Sequence, residues 1–200
     1  MKRLLYIVLS LLVLVLPAAA DDRRDAEELI KGKLDSVISV LQKKDLEKEE
    51  KKKQIIEIVE PIFDFPLMGK LALGKKHWPA LPQEKRETYN SLFVKRLKDS
   101  YLEKMALYTD ETIEYQEAVE LRGKVQMPTY IVSKEKKIAM LYKLYKSKNN
   151  WKIYDIEIEG VSIISSYRSQ FDEILATGTI DDLLHKLENP EEKKPSAASQ

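Results

Sequence analysis

The sequence predicts an α+β domain, and three observations carry that prediction. Apolar residues recur at helical spacing from residue 21 to about 108. After Thr109 the period shortens to two, and after Gly160 it returns to the helical one. Helices first, then a meander of strands, then helices again is the element order of an α+β fold.

The elements follow in order. Ala26, Leu29, Ile30, Leu34, Val37, Ile38 and Leu41 form the apolar stripe of a first helix over 21–41, with Asp21 or Asp22 placed to cap it. The charge run "QKKDLEKEEKKK" at 42–53 reads as a solvated loop that passes into the outer face of a second helix. That helix carries Ile55, Ile56, Val59, Ile62 and Phe63 and bends or ends near Pro61. "DFPLMGKLALG" is a compact helical unit with Pro66 in its first turn and Gly74 where a C-terminal cap belongs. A long helix over 82–108 bears the stripe Tyr89, Leu92, Phe93, Leu97, Tyr101, Met105 and Tyr108.

Four strands are expected near 111–121, 124–133, 137–147 and 150–158, with "RGK" and "KNN" as hairpin turns. In the third strand Ile138, Met140, Tyr142 and Leu144 share one face, and Ala139, Leu141 and Tyr145 share the other. An antiparallel sheet with one wet face alternates more cleanly, so both faces are covered or one borders a cavity. A helix over 161–175 and a last one over 179–188 follow, and "NPEEKKPSAASQ" has the composition of a disordered tail. The side of the 161–175 helix that holds Tyr167, Phe171 and Ile174 or Leu175 is expected to pack on the sheet.

The first twenty residues set the compartment. Lys2 and Arg3 precede an apolar run from Leu4 to Leu16, and Ala18 and Ala20 stand at −3 and −1 before Asp21. This is a secretory signal with cleavage after Ala20. The run is shorter than the ~20 apolar residues a membrane-spanning helix needs. Residues 21–188 then form one domain with its own apolar core, and 189–200 the tail. The chain has no cysteine, so an exported protein must be held together by that core without disulfides. Loss of Lys2 and Arg3 leaves 32 basic against 33 acidic side chains, a balance that argues against nucleic-acid binding.

Catalytic signatures are sparse. There is no Cys nucleophile, no HExxH, no CxxC and no Ser-x-Gly elbow. The two histidines, His77 and His185, have no partner carboxylate placed by spacing. "GKLALGKK" lacks the Gly-Lys-Ser/Thr ending of a phosphate loop. Arg168, in "SYRSQF", reads as one half of a structural ion pair, with a phosphate contact as the alternative. No metal site and no cofactor are expected.

Three stretches together resemble the MlaC family, the toluene-tolerance auxiliary component of an ABC lipid-transport system. They are "FDFPLMGKLALG" (63–74), "WPALPQEKRETYNSLFVKRLKDSYLEKMALY" (78–108) and "WKIYDIEIEGVSIISSYRSQFDEILATGTIDDLLHKL" (151–187). "LGKKHW" is one residue longer than the family spacing, so no role is carried onto 75–79. The resemblance implies a periplasmic phospholipid carrier, not an enzyme, with a curved antiparallel sheet wrapped by helices around an NTF2-like cavity. It also implies two partners, an outer-membrane lipoprotein complex and the MCE-domain subunit of an inner-membrane ABC transporter. The carrier itself is expected to be a monomer. The alternatives are a hopanoid-associated relative and an NTF2-like enzyme, for which Asp64, Asp155 and Glu157 are the acids near apolar walls.

Burying acyl chain is worth ~0.8 kcal/mol per methylene, so a lipid site needs apolar walls and few polar anchors. The expected walls are Met68 and Leu71, then Phe93, Leu97, Tyr101, Met105 and Tyr108 from the long helix. The sheet contributes Tyr130, Ile138, Met140, Tyr142, Tyr154, Ile156 and Ile158, and the segment beyond it Val161, Tyr167 and Phe171. Gly160 lets the chain leave the strand and fold a helix back beside the sheet.

The leader makes a direct prediction. N-terminal sequencing of the exported protein should begin at Asp21; an intact Leu4–Leu16 segment would contradict it.

Overall fold

The computed structural model describes residues 19–105, 111–134 and 136–190, with side chains for 22–101, 111–134 and 136–190. The helices are α1 (Ala19–Leu41), α2 (Lys48–Val59), α3 (Phe65–His77) and α4 (Gln83–Met105), then α5 (Ile163–Thr177) and α6 (Ile180–Glu188) after the sheet. The strands are β1 (Thr112–Tyr115), β2 (Val119–Leu121), β3 (Lys124–Val132), β4 (Lys137–Ser147), β5 (Asn150–Ile158) and β6 (Val161–Ser162). They form one antiparallel sheet in the order β1-β3-β4-β5-β6, with β2 also paired to β3. The architecture is the predicted α+β.

Where the structure differs from the sequence reading, each difference has a local cause. The stretch 111–121 is two short strands, not one. Pro128 sits in β3 without an N–H to offer, and the break at 116–118 lies opposite it; Gln116 N–H still donates to the Pro128 carbonyl at 3.1 Å. Helix α1 begins at Ala19, so Asp22 lies inside its first turn and pairs with Lys146 instead of capping. Gly74 does break α3, with φ 75°, but the chain resumes for a turn through His77, so the break is a kink and not the helix end. A short strand, β6, precedes α5.

That strand answers what Gly160 does. Ile158 pairs with Val161 across a two-residue turn in which Glu159 and Gly160 both have positive φ, 50° and 78°. Such a turn suits a tight hairpin and strongly favours glycine at one of its positions. The reversed chain then enters α5 directly. Ser162 Oγ accepts from the Ser165 N–H at 3.0 Å as N-cap.

Two cores result. Residues Ala26 and Ile30 of α1 pack on Val125, Met127, Tyr142, Leu144, Trp151 and Ile153 of the sheet. The second core joins α3, α4, α5 and α6 through Met68, Leu73, Tyr89, Phe93, Tyr167, Phe171 and Leu183. Its centre is aromatic: Phe93 and Tyr167 meet edge to face with centroids 5.3 Å apart, and Tyr89 and Phe171 do so at 6.2 Å. The body of α5 therefore packs chiefly on α3, with Tyr167 and Phe171 reaching the rings of α4, rather than on the sheet as expected. Phe63 and Ile156 touch both cores and mark the seam between them.

Asp155 ties these parts together. This carboxylate, 6% exposed, accepts from Ser162 Oγ at 2.8 Å, from the Ile164 N–H in the first turn of α5 at 3.2 Å, and from Lys143 Nζ at 3.2 Å. Lys143 also pairs with Glu157. Burial works against the Lys143 charge, but the hydrogen bonds from Glu157 and Asp155 outweigh it and raise the ammonium pKa. The contribution of the ion pair is therefore complete below the ordinary lysine range and is lost only as pH rises through that raised value.

Asp155→Ala leaves the Lys143 ammonium half-satisfied and strips the α5 N-terminus of an acceptor. It should cost about 3 kcal/mol in urea unfolding. Asp155→Asn, which can still accept from Ile164 and Ser162, should cost clearly less. Equal losses would show that the carboxylate's geometry does not matter.

Candidate functional site

The acids that could have served chemistry are all engaged in structure. Asp64 caps α3, accepting from the Leu67 N–H at 2.9 Å, and takes the Tyr145 hydroxyl as well. Asp155 and Glu157 hold Lys143. His77 does have a carboxylate partner, which spacing could not show: its Nε2 lies 2.8 Å from Asp172 Oδ1, one turn along α5 from Arg168. The contact ties the end of α3 to α5. Among the described residues no group of three or more His, Asp or Glu is placed to hold a metal.

Among the described residues Arg168 meets a backbone carbonyl and not a carboxylate. Its Nε and Nη2 both donate to the Leu71 carbonyl, at 2.9 and 2.6 Å. That carbonyl is freed by the kink at Gly74, and a Cβ on Gly74 would stand 3.4 Å from the Arg168 stem. The ion pair expected for Arg168 is thus replaced by a cap on a broken helix. "LALG" and "SYRSQF" are two halves of one contact.

The residues expected to line a cavity fall into three groups. Met68, Phe93, Leu97, Tyr142, Tyr167 and Phe171 are buried within the two cores, and burial pushes the Tyr142 phenol up to about 12. A second group runs along the seam, from buried Thr129 through half-buried Met140 and Ile158. Thr129, Met140, Ile158 and Val161 form one cross-strand row, with Ile131 and Ile138 beside it and Ile156 below. Tyr101 approaches from α4 as part of the helical core, which Leu71 joins from α3. Val161, at the end of the row, is 60% exposed. The third group points elsewhere: Tyr130 and Tyr154 lie on the opposite face of the sheet, under the ammonium groups of Lys137 and Lys124. The side chain of Met105 and all of Tyr108 lie outside the described residues.

Two open spaces accompany these surfaces. A depression of about 150 Å³ lies on the outer sheet face over Pro128, Tyr130 and Leu141. The larger space is a groove of about 970 Å³ between α4, α5 and α6. Tyr167, Phe171, Ile174, Leu183 and Leu187 line it, with Arg96, Gln170, Glu173, Asp182 and Lys186. Of the residues expected to line a cavity, this groove holds Tyr167 and Phe171; α6 and Arg96 were not among those expected. The α6 stripe of Ile180, Leu183, Leu184 and Leu187 was visible, but nothing in it said which helix it would face.

The comparisons with known proteins bear on this arrangement. The family model described as "MlaC protein" matches residues 31–189. Among solved structures, a phospholipid-binding protein from Ralstonia solanacearum, in complex with a phospholipid, superposes with a TM-score of 0.73. It is 23% identical and covers 82% of this chain and 94% of its own. Its likeness establishes the shared fold, while the family match spans most of the helices and the whole sheet: the chain belongs to the MlaC family.

Proposed function

We infer that this protein is a periplasmic phospholipid carrier that shuttles lipid between an outer-membrane lipoprotein complex and the MCE-domain subunit of an inner-membrane ABC transporter, in maintenance of outer-membrane lipid asymmetry. The observation that carries the reading is a ligand-sized groove with an apolar floor in a chain of this family. Its volume lies within the roughly 300–1,000 Å³ of ordinary ligand pockets, and its lining sets a few polar groups among apolar side chains such as Tyr167, Phe171 and Leu187. The phospholipid bound to the Ralstonia relative supports the same ligand class. On this reading residues 21–188 are the mature carrier domain, exported by the cleaved leader.

The seam supplies a second apolar wall. Met140, Ile138, Ile156, Ile158 and Tyr101 are half-buried where sheet core and helical core meet, and we assign them to the acyl chains together with the groove floor. An acyl chain placed there gains ~0.8 kcal/mol per methylene against the cost of ordering it. No proton transfer is involved. The enzyme alternative loses its candidates, because Asp64, Asp155 and Glu157 are committed to Tyr145, α5 and Lys143.

Met140→Glu would set an unpaired carboxylate against the lipid tails, at a cost of several kcal/mol when lipid is bound. The variant should keep its circular dichroism spectrum and lose co-purifying phospholipid in native mass spectrometry. Retained lipid would remove the seam from the site. Conversely, His77→Ala should keep both lipid and transport, at a cost of about 1 kcal/mol in stability for the lost Asp172 contact. A folded, lipid-loaded His77→Ala protein without function would revive the enzyme reading.

A further inference from the structure

Among the described residues the groove between α4, α5 and α6 includes a cation, Arg96, that no ion pair of the fold uses. Arg96 is half-buried on α4, one turn after Phe93 and next to Leu97, and no hydrogen bond or ion pair engages its guanidinium among the described residues. Two of the acids near it are occupied. Asp99 pairs with Lys95 at 3.1 Å. Asp182, across the groove, accepts from both the backbone N–H and the hydroxyl of Thr179, at 2.7 and 2.8 Å, in the capping box of α6. Glu173 is exposed on the α5 rim, and Lys186 adds a second positive group on α6. An arginine stem lying along apolar side chains with its head unpaired is suited to an anionic group that arrives with an apolar body.

We propose that Arg96 is the phosphate anchor of this groove, donating to the phosphodiester of a glycerophospholipid while the acyl chains lie over Tyr167, Phe171 and Leu187. The inference rests on the carrier reading and adds to it the group that recognises the head. A guanidinium presents paired N–H donors that match two phosphate oxygens, which a lysine cannot reproduce. Lipids with the same chains and no phosphate make the apolar contacts alone. The floor then holds any diacyl lipid, and Arg96 selects the phosphorylated ones.

The test uses the intact purified protein and vesicles containing phosphatidylglycerol and diacylglycerol with identical chains, with uptake read by native mass spectrometry. Wild type should favour phosphatidylglycerol by about tenfold or more. Arg96→Gln should lose that preference while still taking up diacylglycerol and keeping its melting temperature. Arg96→Lys should recover part of it. Ile174→Trp, which fills the groove, should take up neither lipid. An Arg96→Gln protein with undiminished preference overturns the proposal, as does lipid uptake indifferent to Ile174→Trp, the result expected if the groove seats a helix of a protein partner. A site for free phosphate would appear as an Arg96-dependent stabilisation by inorganic phosphate without lipid uptake, and that too overturns it. Wild type that takes up neither lipid defeats the carrier reading itself, a different outcome from lost dependence on Arg96.

Discussion

The buried carboxylate of Asp155 is the constraint on which the arrangement of sheet and helices depends. A charge at 6% exposure is tolerable only with its partners in place, and those partners come from three elements. Lys143 belongs to β4, Ser162 to β6, and the Ile164 N–H to the start of α5. Satisfying one carboxylate therefore sets where α5 begins and which way it leaves the sheet. The helix direction in turn brings Tyr167 and Phe171 against Phe93 and Tyr89. Without the hairpin at Glu159-Gly160 the same side chains could not return to Asp155, which is why the turn and the acid lie five residues apart in one continuous stretch.

A second polar contact does for α3 what Asp155 does for α5. Breaking a helix exposes carbonyls that need donors, and at Gly74 the donor is a guanidinium from another helix. The kink needs glycine for its positive φ and for the space taken by the Arg168 stem. Farther along the same two helices, His77 and Asp172 close the end of the pair. Polar groups that resemble catalytic apparatus in the sequence are thus the fasteners between α3 and α5.

That division suits a protein whose ligand is mostly hydrocarbon. A carrier must release what it binds, so the binding surface should be broad, apolar and sparing of strong polar contacts, with specificity confined to one or two groups at the rim. Half-buried Met140 and Ile158, with exposed Val161 at the end of their row, are the surface we assign to that role, and methionine can accommodate chains of different shape. Arg96 is the group we propose for the rim. The tight aromatic centre of the helical core gives the groove a firm floor.

Periodicity by itself determined much of this protein. The change from period 3.6 to period 2 near Thr109 and back after Gly160 settled the α+β class, and Pro61, Pro66 and Gly160 marked where elements end or turn. The two faces of β4 were equally legible, since alternation alone separates Met140 and Tyr142 from Leu141 and Tyr145. Family motifs pointed to the MlaC family, which the family model over residues 31–189 bears out. What only the tertiary structure decided were the partners. Pro128 split the first strand because of what lies across from it, a relation invisible along the chain. Arg168 found a carbonyl 97 residues away and His77 a carboxylate 95 residues away. Tyr130 and Tyr154 shared the composition of the expected cavity wall, yet the strand pairing put them on the outer face. An amphipathic stripe states that a face must be covered, because apolar area in water is costly whatever covers it. Which neighbour covers it, and where a gap such as the α4–α5–α6 groove is left, depends on contacts between distant residues, and those exist only in the folded chain.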